Sequence, residues 1–328
     1  MKAIVYTEYG EPDVLTLKDV EKPSPKDGEV LLRIRATSLN AYDLRFLRAD
    51  PFLIRLMAGG LFRPIYQTLG ADVAGCVESI GPNVTRFTPG DEVFGEIGSG
   101  GLAEYARAKE DSLSIRPAGM TFEQAAAMPM AALTALQGLR DHGRIRAGQK
   151  VLIHGAGGGV GTFAVQIAKA FGADVTAVCG PENAERTRSL GADRVVDYSK
   201  ENVARQNRRF DLIFAVNGYR SIFEYRRMLT PGGIYIMAGG ALAQILEALV
   251  LGPVLSRAGG RKMGSFTART DPKDLEFLAE LFTAGKVKPV IDRRYPLSET
   301  PDAFRYLARG HTKGKVVITV LVNGEAGT

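Results

Sequence analysis

Between Val30 and Ala36 the chain alternates in character. Val30, Leu32, Ile34 and Ala36 form one apolar row, with Leu31, Arg33 and Arg35 between them. That period of two predicts a half-buried strand. The apolar run from Ala71 to Ile80 predicts another, closed by the turn Gly81-Pro82-Asn83. A second turn, Thr88-Pro89-Gly90-Asp91, leads into a short strand from Glu92 to Gly95. Short strands punctuated by Gly and Pro predict a partly open β-barrel or sandwich over the first third. Residues 41–66 interrupt that plan with a longer segment of helical character.

The period then changes. Val151 to Ile153 predicts a short strand, and Val160, Ala164, Ile167, Ala168 and Phe171 fall at helical spacing behind it. Asp174 to Cys179 predicts a strand, and Glu182 to Leu190 a helix ended by Gly191. Arg194 to Val196 and Asp211 to Val216 predict two more strands. A helix over Tyr219 to Leu229 is stopped by Pro231-Gly232-Gly233. A strand from Ile234 to Ala238, a helix from Ala241 and a strand near Arg261 to Phe266 follow. Six strands alternating with helices, over roughly residues 124–269, predict an α/β doubly wound parallel sheet covered on both faces. The last stretch predicts one helix, Pro272 to Ala284, capped by Asp271 and stopped at Gly285, then a strand from Lys315 to Leu321.

The length of 328 residues is compatible with two such regions. A chain 45% hydrophobic and 24% charged is neither collagen-like nor disordered. Two cysteines, Cys76 and Cys179, exclude a disulfide framework and a four-cysteine zinc site. Three histidines, His142, His154 and His311, leave little for a metal centre. The opening MKAIVYTEYG lacks the plan of a secretory signal, and no window approaches about 18 uninterrupted apolar residues. The expectation is a cytoplasmic protein with no integral membrane segment. The net charge of +6 is mild, and Arg205 to Arg209 and Arg257 to Lys262 carry no interleaved aromatics. They read as solvated faces, with no nucleic-acid partner.

The sharpest motif is His154-Gly155-Ala156-Gly157-Gly158-Gly159-Val160-Gly161, set between a predicted strand and helix. That context is the one a dinucleotide site requires. Ala156 is small enough for the tight turn, Gly158 lets the backbone approach a pyrophosphate, and Gly161 lets the helix pack on the strand. The helix N-terminus, with Gly157, Gly159 and Val160 around it, offers free N–H groups and a positive dipole end. An acid about 20 residues past the loop would bind an adenosine ribose and favour NAD. The next strand instead ends Val178-Cys179-Gly180, which leaves room for a 2′-phosphate near Arg186, Arg188 and Tyr198. Glu182 works against that reading. On balance NADP(H) is expected over NAD(H).

These residues resemble the medium-chain dehydrogenase/reductase superfamily, closest to its zinc-independent quinone oxidoreductase-like branch. The motifs are Ser38-Leu39-Asn40 through Asp43, Leu69-Gly70-Ala71-Asp72-Val73-Ala74-Gly75 and Pro89-Gly90-Asp91-Glu92-Val93-Phe94-Gly95. They continue with Ala131-Ala132-Leu133-Thr134-Ala135, the glycine loop, Leu190-Gly191-Ala192-Asp193 and Gly314-Lys315-Val316-Val317. The resemblance implies a GroES-like, partly open β-barrel catalytic domain from residues 1–123 and 270–328. It implies a Rossmann domain over 124–269, and a homodimer. The zinc alcohol dehydrogenases of that superfamily hold catalytic zinc with two cysteines and a histidine. Here Asn40 and Tyr42 stand where a Cys-containing segment would start, and Ala71-Asp72 replaces a His-Glu pair. Met128 and Met130 lie in a region without cysteine. Asp43 and Asp72 alone are not a zinc donor set, so no metal is expected.

Without a Lewis acid to make an alkoxide, hydride transfer to a quinone or an α,β-unsaturated carbonyl is favoured over alcohol oxidation. The resemblance assigns Asn40 to the nicotinamide or substrate, Tyr42 to proton donation or a substrate platform, and Thr134 to the nicotinamide. Asp43 would order this region. Val216-Asn217-Gly218 and Ala238-Gly239-Gly240 end strands where ligands lie in such folds. Ser265-Phe266-Thr267 would cover the nicotinamide. Cys76 and Cys179 are expected to be inert, and His154 to pack or hydrogen-bond beside the loop. Two other classes remain open. A 2-enoyl thioester reductase would use Arg45, Arg48, Arg55 and Arg63 for a carrier or CoA phosphate. A non-enzymatic dinucleotide-binding regulator, or a nucleic-acid or membrane-surface binder, would use the basic balance. It would also use an amphipathic segment of Phe52, Leu53, Ile54, Leu56 and Met57, which otherwise forms a lid or dimer contact.

Overall fold

The strand Glu29–Leu39 is paired along both edges. Asp72–Ile80 lies on one side, and Tyr105–Lys109 and Lys315–Thr319 lie on the other, all antiparallel to it. The computed structural model describes residues 1–56, 60–217, 220–240, 242–257, 260–310 and 312–321. Met57, Gly218, Tyr219, Ala241 and His311, all named above, lie outside the described residues.

The contacts divide the chain into two units. The first comprises Met1–Met130, Thr270–Thr283 and Pro289–Thr328. Its seven-stranded, mostly antiparallel sheet runs Ile291–Pro296, Lys315–Thr319, Glu29–Leu39, Asp72–Ile80, Glu92–Glu96, Leu113–Ile115, with Tyr105–Lys109 off that path. Val30, Leu32 and Ile34 pack with Val73, Val93, Leu113, Val316 and Ile318 in its core. The simple alternation expected of the first strand does not hold. Leu31, Thr37 and Ser38 are buried as well. The pairing slips between Leu31 and Leu32 and again between Ile34 and Ala36, so the strand turns different faces inward along its length. The longer segment begins with the helix Ala41–Arg48 and turns at Ala49, which is left-handed. Asp271 caps Pro272–Thr283 by accepting from the Lys273 N–H. A further helix, Thr300–Ala308, was not anticipated from the sequence. Pro301 stands in its first turn, where proline starts a helix rather than breaking one.

The second unit comprises Ala131–Arg269 with Ala284–Lys288. Its six strands are all parallel, in the order Arg194–Asp197, Asp174–Cys179, Lys150–His154, Phe210–Ala215, Leu229–Met237, Lys262–Ser265. This is the doubly wound order, reversing beside the first strand of the unit. Val151, Leu152 and Ile153 are fully buried, as a strand covered on both faces must be. Pro231-Gly232-Gly233 does not stop a helix here. The helix is Ile222–Met228, capped by Ser221, and those three residues lie inside the strand Leu229–Met237. A register slip opposite Phe210 and Leu212 absorbs them. Among the described residues no helix is long and apolar enough to cross a membrane.

Candidate active site

The strand Lys150–His154 delivers the chain into the glycine loop. The tight turn falls at Gly155, which has φ 91°, and not at the neighbouring Ala156, which is fully buried. A Cβ at Gly155 would stand 2.8 Å from the Asn217 amide nitrogen. A Cβ at Gly161 would stand 2.1 Å from the Gly155 carbonyl oxygen, so this glycine lets the helix Gly159–Ala170 lie on the strand. Gly158 is different. It is the N-cap of that helix, no side chain caps it, and a Cβ there would meet nothing within 4 Å. An uncapped twelve-residue helix whose first residues are half-exposed, with open space at Gly158, suits a pyrophosphate. The adjacent strand ends converge on the same edge. The Val216 amide donates to the His154 carbonyl, and Gly239 approaches the Val216 carbonyl.

The tip of the strand Asp174–Cys179 is more crowded than its sequence suggests. The Glu182 carboxylate folds back over Gly180, and a Cβ at Gly180 would lie 2.8 Å from its Oε1. Arg186 donates to Asn183 Oδ1. Asn183 is buried and lies against the loop, where a Cβ at Gly157 would come 2.6 Å from its Nδ2. The sequence reading missed Asn183, since nothing local marks it. Tyr198 is exposed, and its amide donates to the Cys179 carbonyl, which sets it beside the strand tip. Burial pushes the Cys179 and Cys76 thiols up, away from the reactive thiolate. His154 is buried and hydrogen-bonds the Tyr225 hydroxyl through Nδ1 at 2.7 Å. Burial holds its imidazole down at about 4, so it is neutral. Thr134 is the half-buried residue in an otherwise buried stretch of the helix Pro129–Gln137. Phe266 stacks on His142, with centroids 4.5 Å apart.

In the first unit, polar side chains gather behind the helix Ala41–Arg48. Asp43 accepts from the Asn40 amide at 2.8 Å and the Gly70 amide at 3.0 Å, which ties the helix start to the loop before the strand Asp72–Ile80. Asp72 Oδ2 accepts from Ser38 Oγ at 3.0 Å, Asn40 Nδ2 at 2.9 Å and Lys315 Nζ at 3.1 Å. Its Oδ1 accepts from the Met130 amide at 2.9 Å. Lys315 also donates to Asn40 Oδ1. Lys315 is 3% exposed and Asp72 0%. The Asn40 carboxamide is thus spent between an ammonium and a carboxylate.

Tyr42 packs its ring 4.4 Å from that of Phe46, and its phenol is pushed up to about 12, by burial first and then by Asp43 and Glu96. Glu96 ends the strand Glu92–Glu96, directly across from Asp72. Burial, and then the charge of Asp72, pushes its carboxyl up to about 7, against a hydrogen bond from the Thr270 side chain. Burial likewise raises Asp43 to about 6. Sequence reasoning missed Glu96 and Lys315. Among the described residues no group of three or more His, Cys, Asp or Glu side chains is placed to hold a metal ion. The oxygens of Asp72 are already taken up, one of them by a buried ammonium, so this cluster does not fit zinc. The basic patch considered for a thioester is partly spent as well. Arg48 pairs with Glu11 at 2.6 Å, and Arg55 lies over the Tyr9 ring.

A doubly wound parallel sheet with a glycine loop, in one chain with a barrel-like unit that carries a buried polar cluster, is the architecture expected of a dehydrogenase or reductase. Residues 26–118 match the alcohol dehydrogenase GroES-like domain, and residues 190–318 match the zinc-binding dehydrogenase family. The chain is 36% identical over 344 residues to the chloroplast envelope quinone oxidoreductase homolog of Arabidopsis thaliana, covering 97% of this chain and 98% of the other. It is 33% identical over 336 residues to the chloroplastic NADPH-dependent alkenal/one oxidoreductase of that plant, covering 97% and 79%. The structure of the quinone oxidoreductase from Coxiella burnetii superposes with a TM-score of 0.87 at 29% identity, covering 98% and 99%. The chain belongs to the medium-chain dehydrogenase/reductase superfamily, in its quinone oxidoreductase-like branch. It is an oxidoreductase that uses a nicotinamide cofactor.

Proposed function

We propose that this oxidoreductase passes a hydride from NADPH to a quinone or an α,β-unsaturated carbonyl without zinc, as a cytoplasmic homodimer. The observation that carries the reading is the half-buried Tyr42 phenol beside a cluster in which the Lys315 ammonium pairs with the buried Asp72 carboxylate. The relatives named as quinone and alkenal/one oxidoreductases support the substrate class. The homodimer rests on the family resemblance.

The bound cofactor supplies the hydride. The loop from Ala156 to Gly161, with Gly180, Val216, Asn217 and Gly239, would hold its phosphates and adenosine end, and Thr134 and Phe266 would serve its nicotinamide. Arg186 and Tyr198 would serve the 2′-phosphate, with the Glu182 carboxylate over Gly180 working against it. Hydride addition to a conjugated acceptor leaves negative charge on its oxygen, which hydrogen-bond donors stabilise. Tyr42 supplies the proton, and Asn40, fixed by Asp72 and Lys315, holds the start of the helix that carries it.

The test is cofactor consumption, NADPH against NADH, across quinones, alkenals, enones and enoyl thioesters. NADPH oxidation by quinones or enones is expected. A preference for enoyl thioesters would move the assignment to that reductase class. Tight cofactor binding with no acceptor reduced would favour a regulator. Tyr42→Phe should lower turnover by about 10²- to 10⁴-fold while leaving cofactor affinity unchanged. One zinc per chain by elemental analysis, with activity lost to a chelator, would overturn the zinc-free reading.

A further inference from the structure

We infer that Gln137 is a positioning residue, which clamps the segment from Phe266 to Arg269 to the helix Pro129–Gln137 and so fixes Phe266 at the nicotinamide. This rests on the reading that Thr134 and Phe266 serve the nicotinamide. Those two residues lie on elements far apart in sequence. Thr134 stands one turn before Gln137 on its helix, and Phe266 follows the strand Lys262–Ser265. Gln137 is the last residue of that helix, and its side chain reaches across 132 positions of sequence to Arg269.

The contact is made at both ends of the carboxamide. Gln137 Nε2 donates to the Arg269 carbonyl at 2.9 Å, and Gln137 Oε1 accepts from the Arg269 amide at 3.0 Å. A carboxamide offers a donor and an acceptor as a peptide group does, so this side chain stands in for a neighbouring strand. The segment has need of one. After Ser265 the chain is neither strand nor helix until Pro272, so its peptide groups have no ladder to join. Gln137 is buried, which shields both bonds from competing water.

The same stretch of chain fixes the other end of the segment. The Phe266 amide donates to the Met237 carbonyl at 3.3 Å, and the Phe266 ring stacks on His142. Directly after Gln137 the helix widens into a π-helical turn, Gly138–His142, closed by the Gly143 amide donating to the Gly138 carbonyl at 2.8 Å. A Cβ at Gly138 would lie 3.0 Å from Phe266 Cε1, so the glycine leaves room for that ring against the helix backbone. Hydride transfer needs the reacting atoms held in a narrow range of distance and angle. Joining the helix that carries Thr134 to the segment that carries Phe266 supplies rigidity on the protein's side.

The test is Gln137→Met in the full-length protein, titrated with NADPH and with 2′-phospho-ADP-ribose, the same molecule without the nicotinamide ring. NADPH should bind about tenfold more weakly, on the scale of one or two lost hydrogen bonds, while 2′-phospho-ADP-ribose binds as before. NADH and ADP-ribose, run alongside, free the comparison from the 2′-phosphate. Amide hydrogen exchange over residues 262–271 of the ligand-free protein should quicken, while exchange in the strand Lys150–His154 stays slow. Equal weakening of both ligands, with faster exchange throughout the unit, would show that Gln137 merely supports the unit, and would overturn the inference. Unchanged affinity for both would overturn it too. If Gln137→Met does not fold, Gln137→Glu, which keeps the shape and the acceptor but not the donor, reads the same ratio. Phe266→Ala tells the two ways of failing apart. A selective loss of NADPH in Phe266→Ala, with none in Gln137→Met, sinks the clamp alone. No selective loss in Phe266→Ala sinks the placement of Phe266 at the nicotinamide, and the functional reading is then wrong at that residue.

Discussion

The two units build their functional regions from opposite materials. In the nucleotide unit the work is done by backbone. Gly155, Gly157 and Gly161 each have another part of the chain within 2.8 Å of where a Cβ would stand, and Gly158 alone of the four has open space. In the first unit the work is done by side chains. Asn40, Asp72 and Lys315 come from separate elements and hydrogen-bond one another through their side chains, with Asp43 tying the helix start beside them and Glu96 across from Asp72. A region made of backbone fails when volume is added, while charge matters little. One made of buried charge fails when a partner is removed, even if volume is kept.

The sharpest way to break that comparison is Lys315→Met. It keeps most of the volume and leaves Asp72 buried beside an unpaired Asn40 oxygen. Removing one partner of a buried ion pair costs about 3–5 kcal/mol, so urea denaturation should show a loss of that order. Asp72→Asn in the same chain should recover much of it, because the orphaned charge goes with it. A loss below about 1 kcal/mol would mean that the pair does not hold this unit together.

The matching experiment in the nucleotide unit adds volume without charge. Gly158→Val should leave the urea midpoint nearly unchanged, since its side chain meets open space. It should weaken cofactor binding about ten- to a hundredfold in a titration, the equivalent of one lost charge-assisted hydrogen bond. Gly161→Ala should do the reverse. Its methyl would collide with the Gly155 carbonyl, and overpacking of that kind costs about 1–3 kcal/mol of stability. Equal stability losses in the two variants would show that the loop glycines are not divided between ligand approach and helix packing.

The same contrast explains what could be read from sequence. A glycine loop is local, so its spacing between a strand and a helix was legible. The assignment of the turn to Ala156 failed because turn geometry needs positive φ, which Gly155 supplies. The side-chain cluster was half legible. Asn40, Tyr42 and Asp43 lie within four positions, and the helix start announces them. Glu96 and Lys315 read as a strand-end acid and a lysine opening an apolar strand. Only the pairing of Glu96 with Asp72, and of Lys315–Thr319 with Glu29–Leu39, turns them into neighbours of Asn40. The Pro-Gly-Gly segment misled for a related reason, since a register slip let a strand carry residues that ordinarily end one.

The smallest expected effect concerns pH, and it sets the units against each other in sign. Asp43 and Glu96 are raised to about 6 and about 7, against about 3.9 and 4.3 in an unfolded chain. The folded state therefore holds more protons than the unfolded one across that window. Their contribution to stability is complete below about pH 4 and is lost as pH rises through 6 and 7. His154 runs the other way. It is held at about 4 against about 6.5 unfolded, so the unfolded chain takes up the extra proton and stability is lost as pH falls below 6.5. Urea midpoints at pH 5, 6 and 8 should separate the two. Glu96→Gln should remove the part of the decline that extends to pH 7, and it should raise the midpoint at pH 8 relative to pH 5. The shift should be modest, because Glu96 is half-exposed and water screens it. An identical pH dependence in the wild type and Glu96→Gln would mean that Glu96 ionises in the folded protein as it does in the unfolded chain.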